Sequence, residues 1–70
     1  MKLIRLTIKG VDILGSDGYM KIDGRFNLNT TIDAVLKRNK TLERNFPHKV
    51  CDGFYFCDQH FNRISKKIQL

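Results

Sequence analysis

The alternation over residues 2–9 constrains this chain more than any other feature. In Leu3-Ile4-Arg5-Leu6-Thr7-Ile8-Lys9, the residues Ile4, Leu6 and Ile8 recur at every second position, while Arg5, Thr7 and Lys9 take the other side. A period of two is the pattern of a strand with one buried face. Such a strand needs partners for its backbone and a cover for its apolar side. The chain has 70 residues, and one so short buries only roughly 60% of its extended-chain surface. Partners and cover are therefore expected from a single domain spanning residues 1–70.

Beyond Gly10 the apolar residues move to odd positions, Val11 and Ile13, which predicts a bulge or bend at the glycine. Gly15-Ser16-Asp17-Gly18 reads as a turn. Asp23-Gly24 is a hairpin signal. A three-residue loop there pairs Ile22 with Phe26 and Met20 with Leu28 on one apolar face, whereas a two-residue loop mixes the faces. Thr30 is expected to cap a helix, with Asp33 reaching back to it. Ile32, Val35, Leu36, Leu42 and Phe46 fall within about 120° of arc at about 100° per residue, and Pro47 ends the run. The spacing predicts one helix over about residues 31–45, with Asn39 on its apolar stripe. A break near Asn39-Lys40-Thr41 is the alternative.

Val50 to Cys57 reads as a strand with Phe54 and Phe56 on one face and Tyr55 and Cys57 on the other. The last segment fits two templates. As a helix it is capped by Asp58 and carries Phe61, Ile64 and Ile68 on one stripe, with Lys66 and Lys67 near the negative end of the helix dipole. As a strand it returns after a loop of about five residues to pair with Phe54 and Phe56. The helix template fits slightly better. The whole reads as a small α+β domain of two layers, an antiparallel sheet of about three to five strands packed on one main helix.

The net charge is +6, and it is unevenly distributed. Residues 1–36 hold five cations against four carboxylates, whereas residues 37–70 hold eight against three. A basic surface attracts polyanions, phosphates first among them; the plainer reading is a solvated face. Lys37, Lys40 and Arg44 line up on the solvent side of the expected helix, and Arg63, Lys66 and Lys67 follow in the last segment. Tyr55, opposite the core-facing phenylalanines, is a candidate for stacking bases beside these cations.

His48-x-x-Cys51 and Cys57-x-x-His60 supply four zinc-type ligands within 13 residues. Tetrahedral zinc takes such ligands, and a metal would support a small core. Against this, the intervening Gly53-Phe54-Tyr55-Phe56 favours a strand that would hold the pairs apart, leaving two reduced cysteines and two surface histidines. His48 and His60 also offer an acid–base pair for RNA cleavage, though nothing in the sequence fixes their mutual distance. No nucleophile constellation and no phosphate-binding glycine motif is present.

No apolar run approaches the ~18 residues of a membrane span, and the alternating start is unlike a signal peptide, so a cytoplasmic, reducing setting is expected. One Ala beside seven Ile, eight Lys and five Asn points to an AT-rich bacterial or phage source. The expectation is a non-enzymatic basic module that contacts nucleic acid or a nucleoprotein complex through Lys37, Lys40, Arg44, Arg63, Lys66, Lys67 and Tyr55, without a cofactor. The alternative is a phage- or mobile-element-type inhibitor that docks on a host enzyme through its sheet edge or a Tyr19/Tyr55 patch, with a second copy as a further partner. A zinc-stabilised regulator is the third reading.

Overall fold

The structure, a computed structural model, describes residues 2–70. Strand β1 (Lys2–Ile8) lies at the centre of an antiparallel sheet. It does not bend at Gly10 but reverses there. Lys9 and Gly10 have φ of 52° and 81° and connect Ile8 directly to Val11. Two left-handed residues suit a two-residue hairpin, because that turn matches the twist of the flanking strands. The switch from even to odd apolar positions therefore marks a change of strand, to β2 (Val11–Asp12). Lys9 is held in this conformation by its N–H, which donates to Asp52 Oδ2 at 2.7 Å.

After β2 the chain leaves the sheet through a single 3₁₀ turn, Gly15–Gly18, and returns as β3 (Tyr19–Ile22). Arg5 pairs with Tyr19 on one side and with Tyr55 of β4 (Gly53–Cys57) on the other. Strands β2 and β3 thus share one edge of β1, and β4 occupies the opposite edge. β5 (Ile68–Gln69) adds to the outside of β4 through Phe54↔Ile68.

The expected Asp23-Gly24 hairpin does not form. Asp23 instead makes a turn, with Phe26 N–H donating to its carbonyl at 2.9 Å and Arg25 bonded to its carboxylate, and this turn leads directly into α1 (Leu28–Leu42). Phe26 and Leu28, paired on a strand in the sequence reading, are on the surface. The helix begins three residues earlier than expected. Asn27 is the cap: its Oδ1 accepts from Thr30 N–H at 2.8 Å, while the Thr30 hydroxyl donates back to the Asn27 carbonyl at 3.0 Å. Thr30 is thus the third helical residue, answering the cap. α1 ends at Leu42, short of Asn45, and is unbroken at Asn39.

The helix meets the sheet along Thr31, Val35 and Asn39, an i, i+4, i+8 line, with Ile32 alongside. Leu36 and Phe46, assigned to the buried stripe, are exposed. Their places are taken by polar groups with partners. The Asn39 amide donates to the Cys51 carbonyl at 2.8 Å and accepts from Cys51 N–H at 3.1 Å, fastening the segment before β4 to the helix. Ile4, Leu6, Ile22, Val35, Cys51 and Phe54 form the core between the two layers.

The C-terminal segment takes the strand template. Asp58 N–H donates to the Asn62 carbonyl at 3.0 Å, Cys57 bridges Arg63, and β5 follows. Between those pairings three steps along β4 match five along the returning segment, so two residues are extra. Ser65 fills the gap, its hydroxyl accepting from Phe56 N–H at 2.8 Å. The α+β class, with one α-helix and a sheet of five strands among the described residues, is as expected from sequence.

Candidate nucleic-acid interface

The pleat sorts the cations onto two separate surfaces. α1 covers the face that carries Ile4, Leu6 and Phe54, so Lys37 and Lys40, both exposed, stand on the outer side of the helix, whereas Arg44, also exposed, lies in the turn just past its end rather than on the helix as expected. The cross-strand pairs Leu3↔Lys21, Arg5↔Tyr19, Arg5↔Tyr55 and Thr7↔Gly53 belong to the other face of the sheet, and the returning segment lies over it. The Arg63 guanidinium sits 5.2 Å above the Tyr55 ring and donates from Nε to the Ser65 carbonyl at 2.8 Å. A Cβ at Gly53 would meet Lys67 Cε at 2.7 Å, so the Lys67 stem crosses this face, with Nζ 3.7 Å from Asp52. Lys66 is exposed beside it. The six cations expected to act together thus split between two sides of the molecule. Sequence separation along the chain said nothing of the sheet lying between them.

Arg38, a helix cation outside that set, is structural. It donates to the carbonyls of Lys49 and Asp17 at 3.0 Å each, while Lys49 pairs with Asp17 at 3.0 Å. Among the described residues, no carboxylate lies within ion-pair distance of Arg5, Lys21, Arg63, Lys37, Lys40 or Arg44.

Tyr55 is not a free stacking platform. It is 8% exposed, its ring is covered by Arg63, and its hydroxyl donates to the Asp12 carboxylate at 3.0 Å. Burial, then that bond, push its pKa up. On this face the more accessible rings are the exposed Phe61 and the half-buried Tyr19, edge to face at 5.3 Å, with the Arg5 guanidinium 4.9 Å from Phe61. Arg5 makes one polar bond through Nη2, at 3.3 Å to the Ile13 carbonyl. Sequence reasoning missed Arg5, Lys21 and Phe61. The alternation put Arg5 on the right face, but its juxtaposition with Phe61 depends on a loop 56 residues away in the chain.

These rings border a groove at the end of the sheet where β1 begins and β3 and β4 end. Its volume is about 780 Å³, and Lys2, Lys21, Tyr19, Phe56, Phe61 and Ile64 contribute to its walls. Lys2 Nζ lies 5.8 Å from the Phe56 ring. The loop carrying Phe61 is set by Asp58, whose carboxylate accepts from His60 N–H at 2.8 Å and from Asn62 N–H at 2.9 Å. The Asn62 bond above all holds that carboxyl below the ordinary aspartate range.

The two His–Cys pairs do not converge. β4 separates them, and at about 3.3 Å per residue its five residues hold the ends on the order of 13 Å apart. Cys51 is bound to Asn39 on the helix side, whereas Cys57 belongs to the opposite face, paired across from Leu3. His48 packs edge-on against Phe46 before the strand, and His60 lies in the loop after it. Among the described residues, no three His, Cys, Asp or Glu side chains are grouped to hold a metal ion. Burial raises the pKa of both thiols, which keeps them protonated and poorly nucleophilic. No helix among the described residues is long and apolar enough to cross a membrane. No family model matches the chain, and no curated protein and no solved structure matches it either.

Proposed function

We propose that this protein is a non-enzymatic binding module of the cytoplasm that contacts nucleic acid through the sheet face opposite its helix. The observation that carries this reading is the interleaving of cations and rings on that face. Arg5 lies against Phe61, Arg63 against Tyr55, and Lys21 neighbours Tyr19 in β3. Cations without carboxylate partners supply affinity for phosphates, and accessible rings favour unpaired bases. Single strands fit this combination better than a duplex, whose bases are stacked out of reach. Lys66 extends the same positive surface, Lys67 is paired with Asp52 at its border, and Lys37, Lys40 and Arg44 add long-range attraction.

The test is fluorescence anisotropy with a labelled single-stranded oligonucleotide over a range of salt. Affinity is expected to fall steeply with salt, and Lys21→Glu together with Lys66→Glu should weaken it further. No binding at low salt would overturn the reading. A second reading, docking on a host protein as a phage-type inhibitor does, is favoured by Val11 and Leu14, which are 70% and 84% exposed near the β2 edge. Pull-down of a specific partner that survives nuclease treatment, from an extract in which Leu14→Asp captures nothing, would favour it instead.

A further inference from the structure

Phe61 has a φ of 64°. A left-handed backbone is ordinary for glycine and tolerated by asparagine, but it is an outlier for a bulky residue, and strain of this kind collects at working sites. The strained loop is well determined. Phe61 N–H donates to the Asp58 carbonyl at 3.0 Å, and the Asp58 carboxylate ties the N–H groups on either side of it. Its consequence is to set a 39% exposed ring against Tyr19 and Arg5 at the mouth of the groove.

The groove itself has the chemistry of a base-sized site. Its walls are largely apolar and aromatic, its volume falls within the roughly 300–1,000 Å³ typical of small-molecule sites, and Lys2 and Lys21 stand at its border. Its one acidic wall residue, Asp58, has its carboxylate engaged by the loop's own N–H groups.

We propose that this groove receives an unpaired nucleobase of a single strand, stacked on Phe61 with Tyr19 meeting it edge-on, while Lys2 and Lys21 meet the flanking phosphates. The inference rests on the nucleic-acid reading above and adds to it the site at which a base is taken up. Rings give base contact without sequence reading, since every base offers a π-face. Cations on both walls complement the charge of the strand that enters.

The experiment compares two labelled probes of about twelve nucleotides, an oligothymidylate and an abasic strand with the same phosphates. Stacking of one base corresponds to about tenfold or more in affinity, so the oligothymidylate is expected to bind about tenfold more tightly. Phe61→Asn removes the ring and suits the left-handed backbone; it should bring the two probes to within about threefold of each other. In the wild-type protein, which raises no question of folding, the ring-proton resonances of Tyr19 and Phe61 should shift with the oligothymidylate and not with the abasic strand. Equal, salt-sensitive binding of both probes, or unshifted ring resonances, would overturn the groove proposal and leave the nucleic-acid reading standing. Failure of both probes to bind at low salt would overturn both.

Discussion

The two faces of the sheet are covered in different ways. Under the helix, Ile4, Leu6, Val35 and Phe54 are completely buried, and the cover is apolar apart from Asn39 and Thr31, whose side chains have backbone partners. On the other face the cover is the chain's own last segment, and the contacts are guanidinium on ring and phenol on carboxylate. The first face is closed by the hydrophobic effect, which asks only for apolar area. The second is closed by directional contacts that leave cations and the rims of two rings facing outward. A chain of this size gains its stability from the first face, and the second is the one with surface to spare for a ligand.

Substitutions can break or sharpen that contrast. The largest loss is expected from Phe54→Ala. Removing a fully buried ring costs about 3–5 kcal/mol, enough to abolish cooperative thermal unfolding of so small a domain when followed by circular dichroism. Asn39→Ala comes next. It strands the Cys51 N–H and carbonyl in a buried setting, at about 1–3 kcal/mol per group, read as a lower urea midpoint with an unchanged slope. Tyr55→Phe removes only the bond to Asp12 and should cost about 1 kcal/mol; a loss as large as that of Phe54→Ala would make the two faces equivalent. The smallest effect concerns acid. The Asp58 carboxyl has a lowered pKa in the folded protein, so its contribution is complete above the ordinary aspartate value of about 3.9 and is lost as pH falls through the folded value. Faster amide exchange at His60 and Asn62 in that acidic window, absent in Asp58→Asn, is the expected signature.

How much of this was legible in the sequence differs between the same two faces. The alternation in residues 2–9, and Phe54/Phe56 against Tyr55/Cys57, identified the helix-facing side of both central strands, because a period of two is a local property of the chain, but it did not show that Tyr55 and Cys57 are buried as well, under the returning last segment. The helix was visible for the same reason. Its start was misplaced because Asn27 and Thr30 are both good caps three residues apart, and only the turn at Asp23 decides between them. The last segment was ambiguous because Phe61, Ile64 and Ile68 satisfy a helical stripe as well as a returning strand, and pairing with β4 settled the matter through tertiary contact. The grouping of cations failed for a like reason: Lys40 on the helix and Arg63 in the last segment lie on opposite sides of the sheet, which only the fold reveals.

The placement of the binding surface is tested most directly by amide chemical-shift mapping during titration with an unlabelled single strand. The expected perturbations fall on residues 2–5, 19–21 and 57–67, with Lys37 and Lys40 on the outer side of the helix, and Arg44 just past its end, little changed. Shifts concentrated on those three residues, with the sheet face silent, would contradict it.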